Sequence, residues 1–397
     1  MPYYIFIMIR NGEAFWIQTR VLKWAGYPRI RTLEQYFSLI ESYLQAHPEE
    51  DNIGFSVLCD DWKFFCLENP PQFLAGYPND GSCIVDPTSK KVIDYNMMPE
   101  AKSYFRKLNE EFKKGVMDEE SFTQTYEEYL LKLSSGKVLG MVDQWWNFAY
   151  NINTVSADFM GNGYNYVPLP ITMEDSISNQ WHTRRGSEIN ASAGVSITIS
   201  CSDVEGAMKF INDLLEEDVM KLRYWGIEGV DYYVDGNGVF CQTQEQNAQR
   251  NQYEYKASHL CNYSYFPRYE GRMEDGINLY LSEYQGAIFF DSLAKDLQEC
   301  FAAYGCRNYV EMLGSNDSPG EWFPMYTYTD ALTTDSEAGI TYKVLDKVKK
   351  EFLPRVIMAE DFEAEWQEYV DTYEACYPWI YYDALQKEVA RRVNQCH

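Results

Sequence analysis

The sequence predicts an α/β protein, because short strands, loops and helices follow one another repeatedly along the chain. Residues 194–200 alternate apolar and polar side chains, a pattern typical of a half-buried strand. Residues 202–205 then form a predicted capping box that opens a helix. With 397 residues and 46% hydrophobic content, the chain can bury two medium-sized cores, so two lobes are favoured over a single domain.

The N-terminal part of the chain begins with extended segments. Residues 3–9 are rich in β-forming side chains, and residues 15–17 continue an extended pattern. Thr32 then opens a predicted helix, since Gln35 completes a capping box and apolar side chains follow at helical spacing. Residues 53–58 are predicted to form the next strand.

The middle and the end of the chain repeat this order of elements. Residues 69–81 are dense in Pro, Gly and Asn, so they predict a shaped loop. Helices are predicted for residues 99–115 and 118–136, a strand for residues 137–143 and a hairpin turn at residues 235–238. The helices expected near the C-terminus cover residues 340–352, 359–373 and 384–393.

The charge composition argues against two classes of partner. The chain carries 34 basic and 60 acidic residues, which gives a formal net charge of -26 at neutral pH. Such a surface repels phosphate backbones and anionic membranes, so we expect no nucleic-acid partner. No run of eighteen apolar residues occurs in the sequence, so no membrane-spanning helix is expected.

The cysteines and histidines form no recognisable metal motif. The ten cysteines include no C-x-x-C pair, and the four histidines no H-E-x-x-H pattern. We therefore predict neither a metal site nor a cofactor. A chain of this length does not require disulfides, so mostly free, partly buried thiols are expected.

The aromatic content is high for a chain with this composition. The 33 Tyr, 21 Phe and 10 Trp residues make up 16% of the sequence, more than an aliphatic core needs. Flat rings with a polar edge suit the C–H faces of sugars, so some of them are expected in a binding cleft. The alternative is that tyrosine simply fills the surface.

Several segments resemble the family 1 extracellular solute-binding proteins, with the maltose- and alginate-binding proteins as distant relatives. Residues 14–26 and 32–37 are similar to the segments that read LWYRKDWLDKLGL and TLDEFY in that family. Residues 133–147 resemble its GKVGM strand, which ends in a tryptophan at the cleft. Residues 224–238 look like its signature GIEGVHYTVDENG. The resemblance covers nearly the whole chain.

The resemblance implies a type 2 periplasmic-binding-protein-like fold, with two lobes, a hinge and an interlobe cleft. It predicts one lobe from residues 16–193 plus 326–397 and the other from residues 1–15 plus 194–325. It places the crossings between them near residues 12–16, 190–194 and 322–328. The implied function is the solute-binding component of an ABC importer, which captures a carbohydrate, most simply an oligosaccharide, and delivers it to permease subunits.

The chain departs from the family pattern in two places. The LWYRKD-like segment starts at residue 14, whereas relatives carry a signal and much of one lobe before it, so a longer form with a lipid anchor is expected. In that form the protein would be a monomeric, extracellular, cell-surface lipoprotein. Many relatives also have a calcium-binding loop where this chain has residues 47–52, which lack the necessary ligand number and spacing.

Candidate ligand-binding residues follow two predicted strands. Trp145 and Trp146 come after the strand at 137–143, so at least one is expected to stack on a sugar ring while the other packs inside. Asp143 and Asn147 flank them as hydrogen-bonding groups or as structural caps. Asp61 and Trp62 follow the strand at 53–58 and offer an acceptor and a ring, or else form a turn and a core tryptophan.

Further candidates lie in the second half of the chain. Trp225 belongs to the signature segment and serves either binding or packing. Arg268 and Tyr269 could present a guanidinium and a ring to sugar hydroxyls or to a uronate, as Arg184 and Arg185 also could. Tyr326 lies at the third predicted crossing.

Two alternatives to transport remain open from the sequence. A glycoside hydrolase would need a pair of carboxylates around a tryptophan-lined subsite, and any acidic protein offers such pairs. A surface protein that binds carbohydrate without transport would differ only in lacking an importer. Because the sequence contains no recognisable nucleophile or metal motif, we predict a binding protein rather than an enzyme.

Overall fold

A computed structural model of the chain describes residues 12–152, 163–180, 194–250, 252–259, 265–269, 271–314 and 319–395. The strand expected at residues 3–9, the pair Arg184 and Arg185, and most of the crossing expected near residues 190–194 lie outside these ranges. The chain divides into two compact units. The smaller unit comprises Met1–Ile9 and Ser187–Leu293, and the larger unit comprises Arg10–Gly186 and Ala294–His397. The lobe boundaries inferred from the sequence stay a prediction.

The described residues form strands and helices that are interspersed as far as residue 241, and helices follow from there on. The strands are β1 Glu13–Gln18, β2 Ile53–Val57, β3 Ile84–Val85, β4 Val92–Ile93, β5 Val138–Gln144, β6 Tyr166–Leu169, β7 Tyr233–Val234 and β8 Phe240–Cys241. The helices are α1 Thr19–Trp24, α2 Leu33–Ala46, α3 Phe65–Glu68, α4 Pro70–Leu74, α5 Pro99–Lys113, α6 Tyr126–Ser134, α7 Trp145–Ile152, α8 Val204–Asp213, α9 Glu217–Tyr224, α10 Gln244–Arg250, α11 Tyr253–His259, α12 Gly286–Ser292, α13 Lys295–Ala303, α14 Tyr309–Leu313, α15 Tyr326–Asp330, α16 Glu337–Met358, α17 Phe362–Glu374 and α18 Trp379–Gln395. The predicted α/β class is confirmed.

A four-stranded mixed sheet in the order β2-β5-β1-β6 organises the larger unit. Strand β1 pairs antiparallel with β5 and β6, while β2 pairs parallel with β5. Every residue of β1 is buried, so this strand runs through the core of the larger unit. Because β2 and β5 run in the same direction, the segments that follow them emerge at the same edge of the sheet.

Helix α2 begins at the predicted capping box of Thr32 and Gln35 and packs closely on this sheet. The hydroxyl of Tyr36 donates to the carbonyl of Trp16 in β1 at 2.7 Å. A Cβ atom at Gly140 of β5 would lie 2.1 Å from that hydroxyl. Glycine is therefore required at this position for the helix to approach the sheet.

The smaller unit has a separate apolar core. The residues buried there are Met220, Trp225, Tyr232, Phe240, Met273 and Tyr280. The indole of Trp225 is fully enclosed and donates to the carbonyl of Leu279 at 2.9 Å. The predicted turn at residues 235–238 joins β7 to β8 as a hairpin, with the carboxylate of Asp235 accepting from two backbone amides.

Three predicted elements differ from the structure. Residues 194–200 form no strand and are largely exposed, because alternation produces a strand only where a neighbour pairs with it and covers one face. The expected loop at 69–81 begins with the short helix α4, since Pro70 suits a first helical turn. The helix expected from residue 118 starts later, where Thr125 and Glu128 form a capping box.

Two broader expectations concern thiols and membrane helices. The cysteines at positions 59, 66, 83, 201, 241, 300, 306 and 376, which lie in the described ranges, are free thiols. Within the same part of the chain, the helices are too short or too polar to traverse a lipid bilayer.

Candidate functional site

Parallel pairing of β2 and β5 brings two chain segments together at one edge of the sheet. Val57 at the end of β2 lies opposite Val142 of β5, two residues before that strand ends. A short turn at Asp61–Phe64 follows the first strand, and helix α7 begins directly after the second. Side chains from sequence-distant parts of the chain therefore meet here.

Three aromatic side chains meet at this edge, and we call Trp62, Phe65 and Trp146 the aromatic surface. The indoles of Trp62 and Trp146 are stacked, with ring centroids 5.9 Å apart and planes 6° from parallel. The ring of Phe65 lies 5.9 Å from the first indole and 6.0 Å from the second. Trp62 is 56% exposed and Trp146 is 44% exposed. The surface is thus both ordered by ring contacts and open to solvent.

A lysine and a tyrosine border the aromatic surface. Lys63 Nζ lies 4.9 Å from the ring centroid of Trp62 and 4.4 Å from that of Tyr126, in the geometry of a cation–π contact. The Asp60 carboxylate accepts from the backbone amide of Tyr126 at 3.2 Å. The Tyr126 hydroxyl donates to the carbonyl of Asn147. These contacts connect the turn after β2 to helix α7.

Asp61 occupies the tip of that turn. Its side chain is exposed and its backbone is left-handed, with φ of 50°. A residue other than glycine in this conformation carries strain, so the turn is held by its surroundings. The predicted role of Asp61 as an acceptor for sugar hydroxyls stays a prediction.

Asp143 lies beneath the aromatic surface and is fully buried. Its carboxylate accepts hydrogen bonds from Asn147 at 2.9 Å, from Tyr129 at 3.0 Å and from Cys66 at 3.3 Å. Burial raises the pKa of Asp143 to about 6, although the hydrogen bond from Asn147 opposes that effect. These hydrogen bonds connect the end of β5 to the first turn of α7, which carries Trp146. The roles expected for Asp143 and Asn147 stay a prediction.

The two adjacent tryptophans lie in different environments. Trp145 is only 8% exposed and lines a small pocket together with Trp16, Phe148 and Tyr309. Its neighbour Trp146 belongs to the aromatic surface. One residue of the pair therefore contributes to the core of the larger unit and the other to its exterior.

Glu13 is a further carboxyl group at this edge of the sheet. It lies opposite Gln144 in the β1–β5 register and is buried. One of its oxygens accepts from Asn79 at 2.6 Å and from Asn69 at 3.5 Å. Burial raises the pKa of Glu13 well above its usual value, and the bond from Asn79 only partly offsets this. Glu13 could not be recognised as a site residue from the sequence, because a lone Glu at a strand start is common.

The remaining predicted residues lie elsewhere in the chain. Trp225 sits in the core of the smaller unit, so its surroundings favour the packing interpretation. Tyr269 packs on Tyr280 of the same core with ring centroids 5.4 Å apart, and Arg268 is exposed. Tyr326 is half-buried at the start of α15 in the larger unit. Tyr326 therefore shares the larger unit with the aromatic surface, whereas the other three residues belong to the smaller unit.

Sequence reasoning missed Lys63, Phe65 and Tyr126. Phe65 lies three residues after Trp62 across a helical turn, which is the spacing at which side chains share a face. That spacing was a usable signal for Phe65. Tyr126 was not recognisable, because only the folded sheet brings it beside the turn that follows β2.

One group of side chains among the described residues is close enough to share a metal ion. Ligand atoms of His47, Glu49 and Glu50 lie within 4.8 Å of one another, on an exposed loop. Calcium in proteins takes about six to eight oxygen ligands. One imidazole and two carboxylates do not meet that requirement, so this loop does not fit the calcium site implied by the family resemblance.

No protein-family model matches the chain, and no curated protein matches it. Solved structures do match. An extracellular solute-binding protein from Bifidobacterium longum subsp. infantis has a TM-score of 0.59 and 13% identity, over 98% of this chain and 76% of its own. The Streptococcus pneumoniae ABC-transporter substrate-binding protein FusA, as an EF-hand mutant in complex with fructo-nystose, has a TM-score of 0.56 and 14% identity, over 99% and 76%.

A third similar structure is also that of a solute-binding protein. An HMO-binding, ABC-transporter-associated solute-binding protein from Bifidobacterium longum infantis has a TM-score of 0.54 and 13% identity, over 96% of this chain and 74% of its own. At such low identity these likenesses establish the fold. The chain has the α/β fold of ABC-transporter solute-binding proteins, and the resemblance inferred from sequence is confirmed at that level.

Proposed function

We propose that this protein is the solute-binding component of an ABC importer and that it captures a carbohydrate by binding, without catalysis. The observation that carries the proposal is the exposed, stacked pair Trp62 and Trp146 at the end of two parallel strands. The fold supports the same interpretation, because similar solved structures are solute-binding proteins. In α/β sheets generally, ligands bind beyond the carboxyl ends of the strands.

Indole rings that stay exposed to water forgo the free energy of burial. Large aromatic side chains gain free energy when their faces leave water, so a pair held open to solvent is available for a partner. A pyranose ring presents C–H groups on its faces and hydroxyls at its rim. Indole faces match the C–H groups, and polar groups beside the rings match the hydroxyls. Asp61 and Lys63 lie beside the rings and are suited to that second role.

The proposed ligand is an oligosaccharide. Two of the similar structures carry names that refer to HMO and to fructo-nystose. Delivery to permease subunits, an extracellular location, anchoring through lipid in a longer form and a monomeric state belong to the same proposal.

Isothermal titration calorimetry tests the proposal. The protein would be titrated with neutral and acidic oligosaccharides, and with amino acids and peptides as unrelated solutes. We expect saturable heat with at least one oligosaccharide. Trp62→Ala and Trp146→Ala should each weaken that binding about fivefold or more, because an aromatic contact is worth roughly 1 kcal/mol or more.

Trp379→Ala is the matched control, since Trp379 in α18 is 60% exposed and so resembles Trp62 in accessibility. This variant should bind as the unaltered protein does. Circular dichroism would verify that all three variants fold. Heat from peptides alone, or silence across the whole panel, would contradict the proposal.

A further inference from the structure

We infer that Arg20 is a built-in cation that organises the loop at residues 47–52 in place of a bound metal ion. This loop joins α2 to β2, at the position where relatives identified by resemblance carry a calcium-binding loop. The inference concerns the fold of the larger unit and does not depend on the proposed function.

The Arg20 guanidinium contacts four acceptors from three parts of the chain. Nη1 donates to Glu50 Oε2 at 2.9 Å, and Nη2 donates to Asn52 Oδ1 at 2.9 Å. Nη2 also donates to the carbonyl of Gly136 at 2.9 Å, and Nε donates to Gln18 Oε1 at 2.6 Å. A planar guanidinium with donors on three nitrogens can satisfy such a set of acceptors, whereas a single ammonium cannot.

The surroundings of Arg20 strengthen these contacts. Its side chain is only 17% exposed. The guanidinium carbon lies 4.7 Å from the ring centroid of Tyr164 and 5.6 Å from that of Tyr43. Partial burial beside these rings reduces screening by solvent and salt, which strengthens the attraction between the guanidinium and the loop.

Two of the three loop carboxylates already have protein cations as partners. Glu50 Oε2 accepts from Arg20, from Asn52 Nδ2 at 2.9 Å and from the hydroxyl of Tyr43 at 3.3 Å. The Asp51 carboxylate pairs with Lys137 at 2.7 Å. Although burial alone would raise the pKa of Glu50, the bond from Asn52 and the charge of Arg20 lower it. Arg20 and Lys137 thus offset two of the three negative charges of the loop from within the protein.

The position of Arg20 explains why an internal cation is useful here. Gln18 ends β1, Asn52 precedes β2, and Gly136 lies just before β5. The guanidinium therefore fixes three adjacent strands at one edge of the sheet. Strands β2 and β5 lead from this edge to the aromatic surface. The sheet therefore sets the geometry of the aromatic surface without a metal ion.

The test measures thermal unfolding of the full chain with calcium, with EDTA and with neither. We expect the same Tm in all three conditions. Arg20→Met should lower the Tm by about 3 °C or more, and calcium should not restore it. Arg20→Lys should recover only part of the loss, because one ammonium cannot reach all four acceptors. Arg29→Met is the matched control, since Arg29 is 73% exposed and its ion pair with Asp175 is long at 3.7 Å.

Terbium luminescence gives a second readout that needs no Arg20 variant. The indole of Trp24 lies 5.9 Å from the ring of His47, so it would sensitise an ion bound in the loop. We expect the same terbium emission from the unaltered chain and from Glu49→Gln. A calcium-displaceable signal that Glu49→Gln removes, a Tm raised by calcium, or an Arg20→Met variant as stable as Arg29→Met would overturn the inference.

Discussion

Trp62 and Trp146 stack with their ring centroids 5.9 Å apart and their planes 6° from parallel. The two residues are distant in sequence, and the parallel register of β2 with β5 brings them together. Partly buried polar contacts then fix each partner, with Tyr126 linking the turn after β2 to Asn147 in α7. The aromatic surface is therefore a product of the sheet and not of a flexible loop.

Replacing Asp143 distinguishes a positioning role from direct ligand contact. Asp143→Asn places an amide donor among side chains that all donate to the carboxylate, so we expect a loss of roughly 1–3 kcal/mol in the free energy of unfolding. Urea denaturation measures that loss. A variant of unchanged stability that binds sugar less tightly would instead indicate that Asp143 contacts the ligand.

Gly140 provides a test of how closely α2 approaches the sheet. A methyl group there would collide with the Tyr36 hydroxyl, 2.1 Å from the Cβ position. Gly140→Ala should therefore cost roughly 1–3 kcal/mol of stability. Denaturation of the double variant with Tyr36→Phe checks the cause, because removing the hydroxyl should reduce that cost. An equal cost in both backgrounds would show that another contact is responsible.

Buried carboxyl groups predict an unusual dependence of stability on pH. Burial raises the pKa of Asp80 to about 7 and that of Asp143 to about 6, above their values in the unfolded chain. Between those unfolded and folded values the native state binds more protons, so stability falls as pH rises. We expect the Tm to be several degrees lower at pH 7.5 than at pH 5.5.

The variant Asp80→Asn checks the source of this dependence. Asp80 Oδ2 accepts from the backbone amide of Met325 at 2.7 Å, and asparagine can keep that bond through its carbonyl oxygen. The slope of Tm against pH should therefore become shallower in the variant. A Tm that rises steadily from pH 5.5 to 7.5 in the unaltered protein would refute this explanation.

Local patterns in the sequence were sufficient for much of the fold. The capping box at Thr32 placed α2, and Pro99 placed the start of α5, because a helix end is determined by residues next to it. Residues 194–200 failed as a predicted strand for the opposite reason. A strand depends on a pairing neighbour and a covered face, and neither is encoded in the segment itself.

The candidate site shows the same difference between what local patterns predict and what depends on long-range pairing. The sequence placed Trp62 and Trp146 after strand ends but did not reveal that they stack, since the register of β2 with β5 decides this. It also did not decide which of Trp145 and Trp146 faces outward, because that depends on where helix α7 begins. The structure assigns Trp145 to the interior and Trp146 to the exterior.

A crystal structure of the protein with a bound oligosaccharide is the most direct measurement of the central claim. We expect a sugar ring to lie flat against the indole of Trp62 or Trp146, within about 4 Å, the distance of apolar contact. Density for the sugar that touches neither ring, or both indoles sealed within the protein, would contradict the account.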